Sequence, residues 1–83
     1  MIAEEVIIDH RVHPRLIGQR GRAIRKIMDD YKVDIRFPRP DAADPDLVVI
    51  TGNEDDVLDC REHILNIAEE YVSEVFPFSL IDV

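Results

Sequence analysis

Gly18 and Gly21 stand three residues apart with Gln19 and Arg20 between them, and Arg15, Arg22, Arg25 and Lys26 crowd the same stretch. Glycines so spaced permit a tight turn with positive φ, and without a Cβ they let a ligand come close to the backbone. An amphipathic run begins directly after Gly21. The free N–H groups and positive dipole end of a helix starting there would seat phosphate oxygens. The chemistry on offer is phosphate binding by main-chain donors, flanked by guanidinium groups. Two better-known phosphate loops fail on spacing. A P-loop needs G-x-x-x-x-G-K-[ST], whereas here the second glycine comes too early and Arg22 follows it. A dinucleotide fingerprint needs a G-x-G opening that is absent.

The other reactive side chains do not assemble into a catalytic set. His10 and His13 are three apart in a turn beside Pro14, without a third ligand in the local sequence to complete a metal site. His63 follows Glu62 on a helical stretch and reads as a surface residue. Cys60 lies on an apolar stripe with no histidine spaced to activate it, so it reads as a small buried side chain. The acidic neighbours Asp55-Asp56 and Glu69-Glu70 would diverge around a helix and cannot share a proton. The expectation is a binding domain, not an enzyme, with no cofactor and no metal.

Charge supports an anionic partner for the glycine turn. The chain of 83 residues carries a net charge of -8, which alone would argue against nucleic acid. Nine of its ten basic residues, however, fall between positions 11 and 39. The remainder is strongly acidic, with Arg61 its one basic residue. An acidic protein that concentrates its arginines in one third of the chain has an anion to meet there. The length allows one small domain, and a hydrophobic content of 46% is enough for a core. The sequence holds neither an 18-residue apolar run nor the features of a signal peptide, so no membrane span is expected. A lone cysteine fits a reducing compartment; a cytoplasmic setting is expected, with the nucleus as a second one.

Six short elements would have to position the turn. The β-branched run Glu4–Asp9 reads as a strand. Pro14 suits a first helical position, giving one turn over Pro14–Ile17 that Gly18 stops. Ile24, Ile27, Met28 and Tyr31 recur at three- and four-residue spacing in a helix over Arg22–Tyr31. Val33, Ile35 and Phe37 alternate with polar residues as in a half-buried strand. Pro38–Asp46, with three prolines and three aspartates, is a loop. Leu47–Thr51 is a further strand closed by Gly52, and Asn53 then caps the longest helix. Its apolar stripe runs through Val57, Cys60, Ile64, Ala68, Tyr71 and Val75. Three strands cannot bury an apolar face alone, so the helices should cover one side of an α+β sandwich. The last residues, 76–83, read as a tail or linker. Because Leu80-Ile81-Asp82 echoes Ile7-Ile8-Asp9, the opening strand of a following repeat is the alternative.

The run Leu16-Ile17-Gly18-Gln19-Arg20-Gly21-Arg22-Ala23-Ile24 resembles the [IVL]-I-G-x-x-G-x-x-I signature of KH domains, and the element order resembles their type I arrangement, βααββα. The likeness covers residues 4–75, read as a single domain. It implies a three-stranded sheet covered on one face by three helices. It also implies a G-x-x-G loop that clamps about four single-stranded nucleotides against a groove between the helices and the second strand. Carried over by motif, Gly18, Gln19, Arg20 and Gly21 would hold the sugar-phosphate backbone, and Ile17 and Ile24 would floor the groove. Ile35, Arg36 and Phe37 would read bases through the strand edge and the Arg36 side chain. Arg22 and Arg25, with Arg15 and Lys26, would add attraction along the rim.

Two features cut against that expectation: no lysine stands inside the turn, and Asp41, Asp44 and Asp46 would repel phosphate from the groove's edge. An isolated unit should therefore bind weakly, and neighbouring KH repeats on a longer chain would remedy this. The partner implied is single-stranded RNA, with single-stranded DNA as a second candidate. Two other readings stay open: a KH-fold module that docks proteins or neighbouring repeats without nucleic acid, and an accessory domain of a nucleic-acid enzyme.

Overall fold

The computed structural model describes residues 1–75. Alternation of burial defines its three strands: β1 over Ile2–Ile7, β2 over Asp34–Arg36 and β3 over Leu47–Gly52. Val48, Ile50 and Gly52 of β3 are buried, while Leu47, Val49 and Thr51 on the other face are half-buried. That period of two is what a sheet with one covered face requires. The strands pair antiparallel in the order β1-β3-β2, with Ile2 opposite Gly52, Ile7 opposite Leu47 and Ile35 opposite Ile50.

Three helices close the inner face: α1 over His13–Ile17, α2 over Arg22–Tyr31 and α3 over Glu54–Val75. A 3-10 turn, Gln19–Gly21, joins the first two. α3 lies on β1 and β3, α2 touches β2, and α1 is wedged against both α2 and α3. Leu16, Ile50, Ile64, Val12, Val48 and Val57 meet as the fully buried centre. Each such side chain contributes about 1.5–3 kcal/mol of transfer free energy. Cys60 sits among them, and burial pushes its thiol up to about 11. Among the described residues no helix is long and apolar enough to cross a membrane.

The order βααββα matches the type I expectation, and the bounds of α2 agree residue for residue. Three ends differ. β1 begins and ends two residues earlier than its β-branched run, because its length is set by six-residue pairing with β3. Beyond Ile7 the chain leaves the ladder, and Ile8 donates instead to the Asp46 carbonyl at 2.9 Å. β2 is shorter at both ends. Val33 spends its N–H on the Met28 carbonyl at the end of α2, and Phe37 precedes a proline and leaves the sheet. α3 starts after Asn53, whose carbonyl accepts from Val57 at 2.8 Å, and Glu54, Asp55 and Asp56 complement its dipole. The tail of residues 76–83 lies outside the described residues.

Candidate nucleic-acid interface

The turn between α1 and α2 is built by its two glycines in different ways. Gly18 has φ 75° and ψ −179°, a conformation only glycine adopts readily, and its N–H closes α1 on the Pro14 carbonyl at 3.0 Å. A Cβ there would lie 2.8 Å from the Ala23 Cβ, so Gly18 is also the point where the turn packs onto α2. Gly21 has φ 75° and ψ 15°, and no atom lies within 4 Å of where its Cβ would stand. That side of the turn is open to an approaching molecule. Arg20 between them is left-handed, at φ 56° and ψ 24°, a strain of about 1 kcal/mol for a residue with a Cβ.

The N–H groups of Gly21 and Arg22 are spent on the Gly18 and Gln19 carbonyls. The first turn of α2 has neither an acidic residue nor a side-chain cap, so no carboxylate offsets its positive dipole end. Gln19, Arg20 and Arg22 line a shallow hollow of about 300 Å³ beside it. Arg25 is exposed one turn further along α2. A positive helix end, an open glycine and guanidinium groups thus converge on one small surface.

An apolar groove of about 530 Å³ takes in the last residue of α1. His10, His13, Pro14 and Ile17 form one wall; Phe37, Pro38, Arg39, Pro40 and Pro45 form the other. His13 is only 6% exposed, and its Nε2 donates to the Ile8 carbonyl at 2.8 Å. The ring meets Phe37 edge-on with centroids 5.0 Å apart, so the two walls touch at their base. Asp46 ties the proline-rich loop to the turn after β1. Its Oδ1 accepts from the His10 N–H at 2.8 Å and from His10 Nδ1 at 2.9 Å. Those hydrogen bonds, the ring's first, hold the Asp46 carboxyl below its ordinary range.

Of the residues singled out from sequence, Ile17 and Phe37 line the groove, and Gly18, Gln19, Arg20, Gly21 and Arg22 form the turn and its hollow. Ile24 and Ile35 are 7% and 6% exposed and belong to the core, so they support the floor from beneath. Arg36 departs from expectation. Burial alternates along β2, so Arg36 stands on the opposite sheet face from Ile35, 81% exposed and bonded through Nε to Asp34 at 3.0 Å. Its side chain does not line the groove.

Two further expectations are corrected. Of the three loop aspartates, Asp46 is bound to His10 and Asp44 accepts the Asp46 N–H, so the wall facing the groove is mainly proline. The histidine turn also does gain acidic company, since Asp9 and Asp46 bring oxygens within 4.8 Å of a His10 ring nitrogen. That nitrogen is already engaged by Asp46, and His13 is not in the cluster. Sequence reasoning missed His13 and the proline wall; the run of prolines directly after Phe37 was the available signal.

A three-stranded antiparallel sheet under three helices, with a two-glycine turn joining the first two, is the architecture of KH domains. The family model for the KH domain matches residues 3–66, and the chain belongs to that family of nucleic-acid-binding domains. Within it the chain is similar to vigilin: 56% identical to the Gallus gallus protein over 75 residues, 90% of this chain. Against the Homo sapiens protein it is 52% identical over 83 residues, all of this chain. It spans about 6% of the length of either relative. The solved 14th KH type I domain of human vigilin superposes with a TM-score of 0.83 at 56% identity, covering 87% of this chain and 76% of that one. A more distant likeness, 34% over 68 residues, links 82% of the chain to 9% of a polyribonucleotide nucleotidyltransferase from Helicobacter pylori (strain Shi470).

Proposed function

We propose that this domain binds single-stranded RNA, and single-stranded DNA by the same means, as one unit of a chain with neighbouring KH repeats. Phosphates pass over the turn at Gly18–Gly21, held by the positive end of α2 and by Arg20 and Arg22. About four nucleotides fit such a clamp. Their bases lie in the groove between Ile17 and Phe37, where the free edge of β2 offers main-chain donors and acceptors. The observation that carries this reading is the open side of Gly21, flanked by the basic hollow and followed by the start of α2. Phosphate contacts position the strand, and the groove's apolar walls demand unstacked bases. On this reading the domain binds the strand and does no chemistry on it.

An NMR titration with single-stranded tetramers tests this. Shifts are expected at Gly18–Arg22, Ile17 and Phe37, and a duplex of the same sequence should bind far more weakly. Equal affinity for both would reduce the site to an electrostatic patch. A docking role without nucleic acid is favoured by one other feature, an apolar hollow that includes Ile7, Val12, Leu65 and Val72, with Ile7 62% exposed. Absence of any shift in the turn at low salt would move the assignment there.

A further inference from the structure

The strand order leaves β2 on an edge, paired with β3 on one side only. Its free side is closed at one point, because the Ile35 N–H points away from β3 and donates to the Met28 thioether sulfur at 3.4 Å. Met28 holds this edge twice. Its carbonyl accepts the N–H groups of Lys32 and Val33 at the end of α2, and its sulfur takes the next free donor along the strand. Two residues further on, Phe37 enters the groove wall. The Ile35 amide is thus a main-chain donor on the strand edge two residues before the groove wall, and a side chain already occupies it.

We propose that Met28 is a displaceable gate on the Ile35 amide, a residue that sets how readily a base engages the edge of β2; this rests on the RNA-binding reading above. A part-buried N–H left without a partner is costly, so the free domain needs something there. A thioether is among the weakest acceptors a protein can supply. It satisfies the donor well enough to keep the edge ordered and yields to a ring nitrogen or carbonyl oxygen of a base. Methionine also suits the motion, since its unbranched chain has three rotatable bonds and repacks at little cost. Met28 is half-buried, within reach of the surface through which a base would arrive. The carbonyl bonds to Lys32 and Val33 are main-chain and remain while the sulfur swings aside, so the edge opens without melting α2.

The inference predicts an effect of unusual sign. Met28→Leu keeps the side chain's size and apolarity but cannot accept a hydrogen bond. If Met28 merely packed, this change would leave RNA affinity equal or lower. As a gate removed, it should raise affinity for single-stranded tetramers on the order of three- to fivefold, because the unpaired donor now gains its partner only on binding. Hydrogen exchange supplies the second readout: the Ile35 amide should exchange faster in free Met28→Leu than in the wild type, and equally slowly in both when saturated with RNA. Unchanged or weakened affinity in a folded Met28→Leu variant overturns the gate, and unchanged Ile35 exchange in the free variant overturns the cap itself. If the wild type binds no tetramer, the RNA-binding reading falls and the gate falls with it. Tetramer binding without the gain in Met28→Leu removes the gate alone.

Discussion

Replacing each glycine of the turn by alanine should have unequal consequences, and the structure says by how much. At Gly18 two costs add. An alanine at φ 75° and ψ −179° is held where only glycine is comfortable, about 1–3 kcal/mol. Its Cβ would also stand 2.8 Å from the Ala23 Cβ, where ordinary carbon contacts are about 3.5–4.0 Å, and overpacking of this kind costs about 1–3 kcal/mol. The total, about 2–6 kcal/mol, is comparable with the whole stability of a small domain. At Gly21 the left-handed backbone costs about 1–2 kcal/mol, and nothing lies within 4 Å to be struck. Urea unfolding followed by far-ultraviolet circular dichroism measures both. A second change separates the two costs at Gly18, since Ala23→Gly removes the methyl that is struck. Alone it should destabilise α2 by up to about 1 kcal/mol; in the Gly18→Ala background it should recover the part of the loss due to the Cβ–Cβ clash, while the backbone cost and the 3.1 Å approach to the residue 23 nitrogen remain. Equal losses for the two glycine variants, or strict additivity of Gly18→Ala with Ala23→Gly, would refute the reasoning.

Four other outcomes are expected. Ile64→Ala, at a fully buried position of α3, should lower the unfolding free energy by about 2–5 kcal/mol in the same assay. Changing Gln19 and Arg20 together to aspartate should cut RNA affinity on the order of a hundredfold by fluorescence anisotropy while circular dichroism stays unchanged, since both side chains are exposed and the glycines remain. Cys60 should resist alkylation in the folded state. Its folded-state pKa is raised, so its share of stability is intact below the ordinary value of 9.0 and is lost as pH climbs toward about 11, a loss that Cys60→Ala should lack. Asp46 behaves oppositely: its folded-state pKa is lowered, so its contribution is present above 3.8 and disappears as pH falls below that, and Asp46→Asn should flatten the acid limb of the stability profile.

How much of this was legible in the residues differs from element to element. α2 was, because four apolar residues at helical spacing follow Gly21, although nothing in the residues announced the left-handed Lys32 that ends it. β1 was legible in kind but not in extent, since its ends follow from the length of β3, forty residues away. The turn at Gly18–Gly21 could be placed because glycine reports a backbone demand directly. The groove entered only through the family resemblance, and its far wall was not drawn. Its far wall exists only because Asp46 reaches back 36 residues to His10, and because Phe37 meets the buried His13 ring. Neither contact leaves a periodic trace. The Arg36 side chain was misjudged for a related reason: a strand's alternation says which residues share a face, but not which of them face the groove.

The placement of β1 has a consequence for a chain built from many such units. β2 meets β3 locally, Arg36 opposite Val49, whereas β1 must find β3 across the two intervening helices, Ile7 opposite Leu47. Tripling the span closed adds about 1 kcal/mol of chain entropy, so β1 is the strand that arrives late and leaves early. In tandem arrays the β1 of the next unit is a near-equivalent competitor for the same vacant ladder. Strand exchange between neighbours, with the hinge before α1, is the misfolding route that this strand order leaves open. Sequence divergence between adjacent units then acts as a safeguard: each β1 that differs from its neighbour's is one less able to complete the wrong sheet.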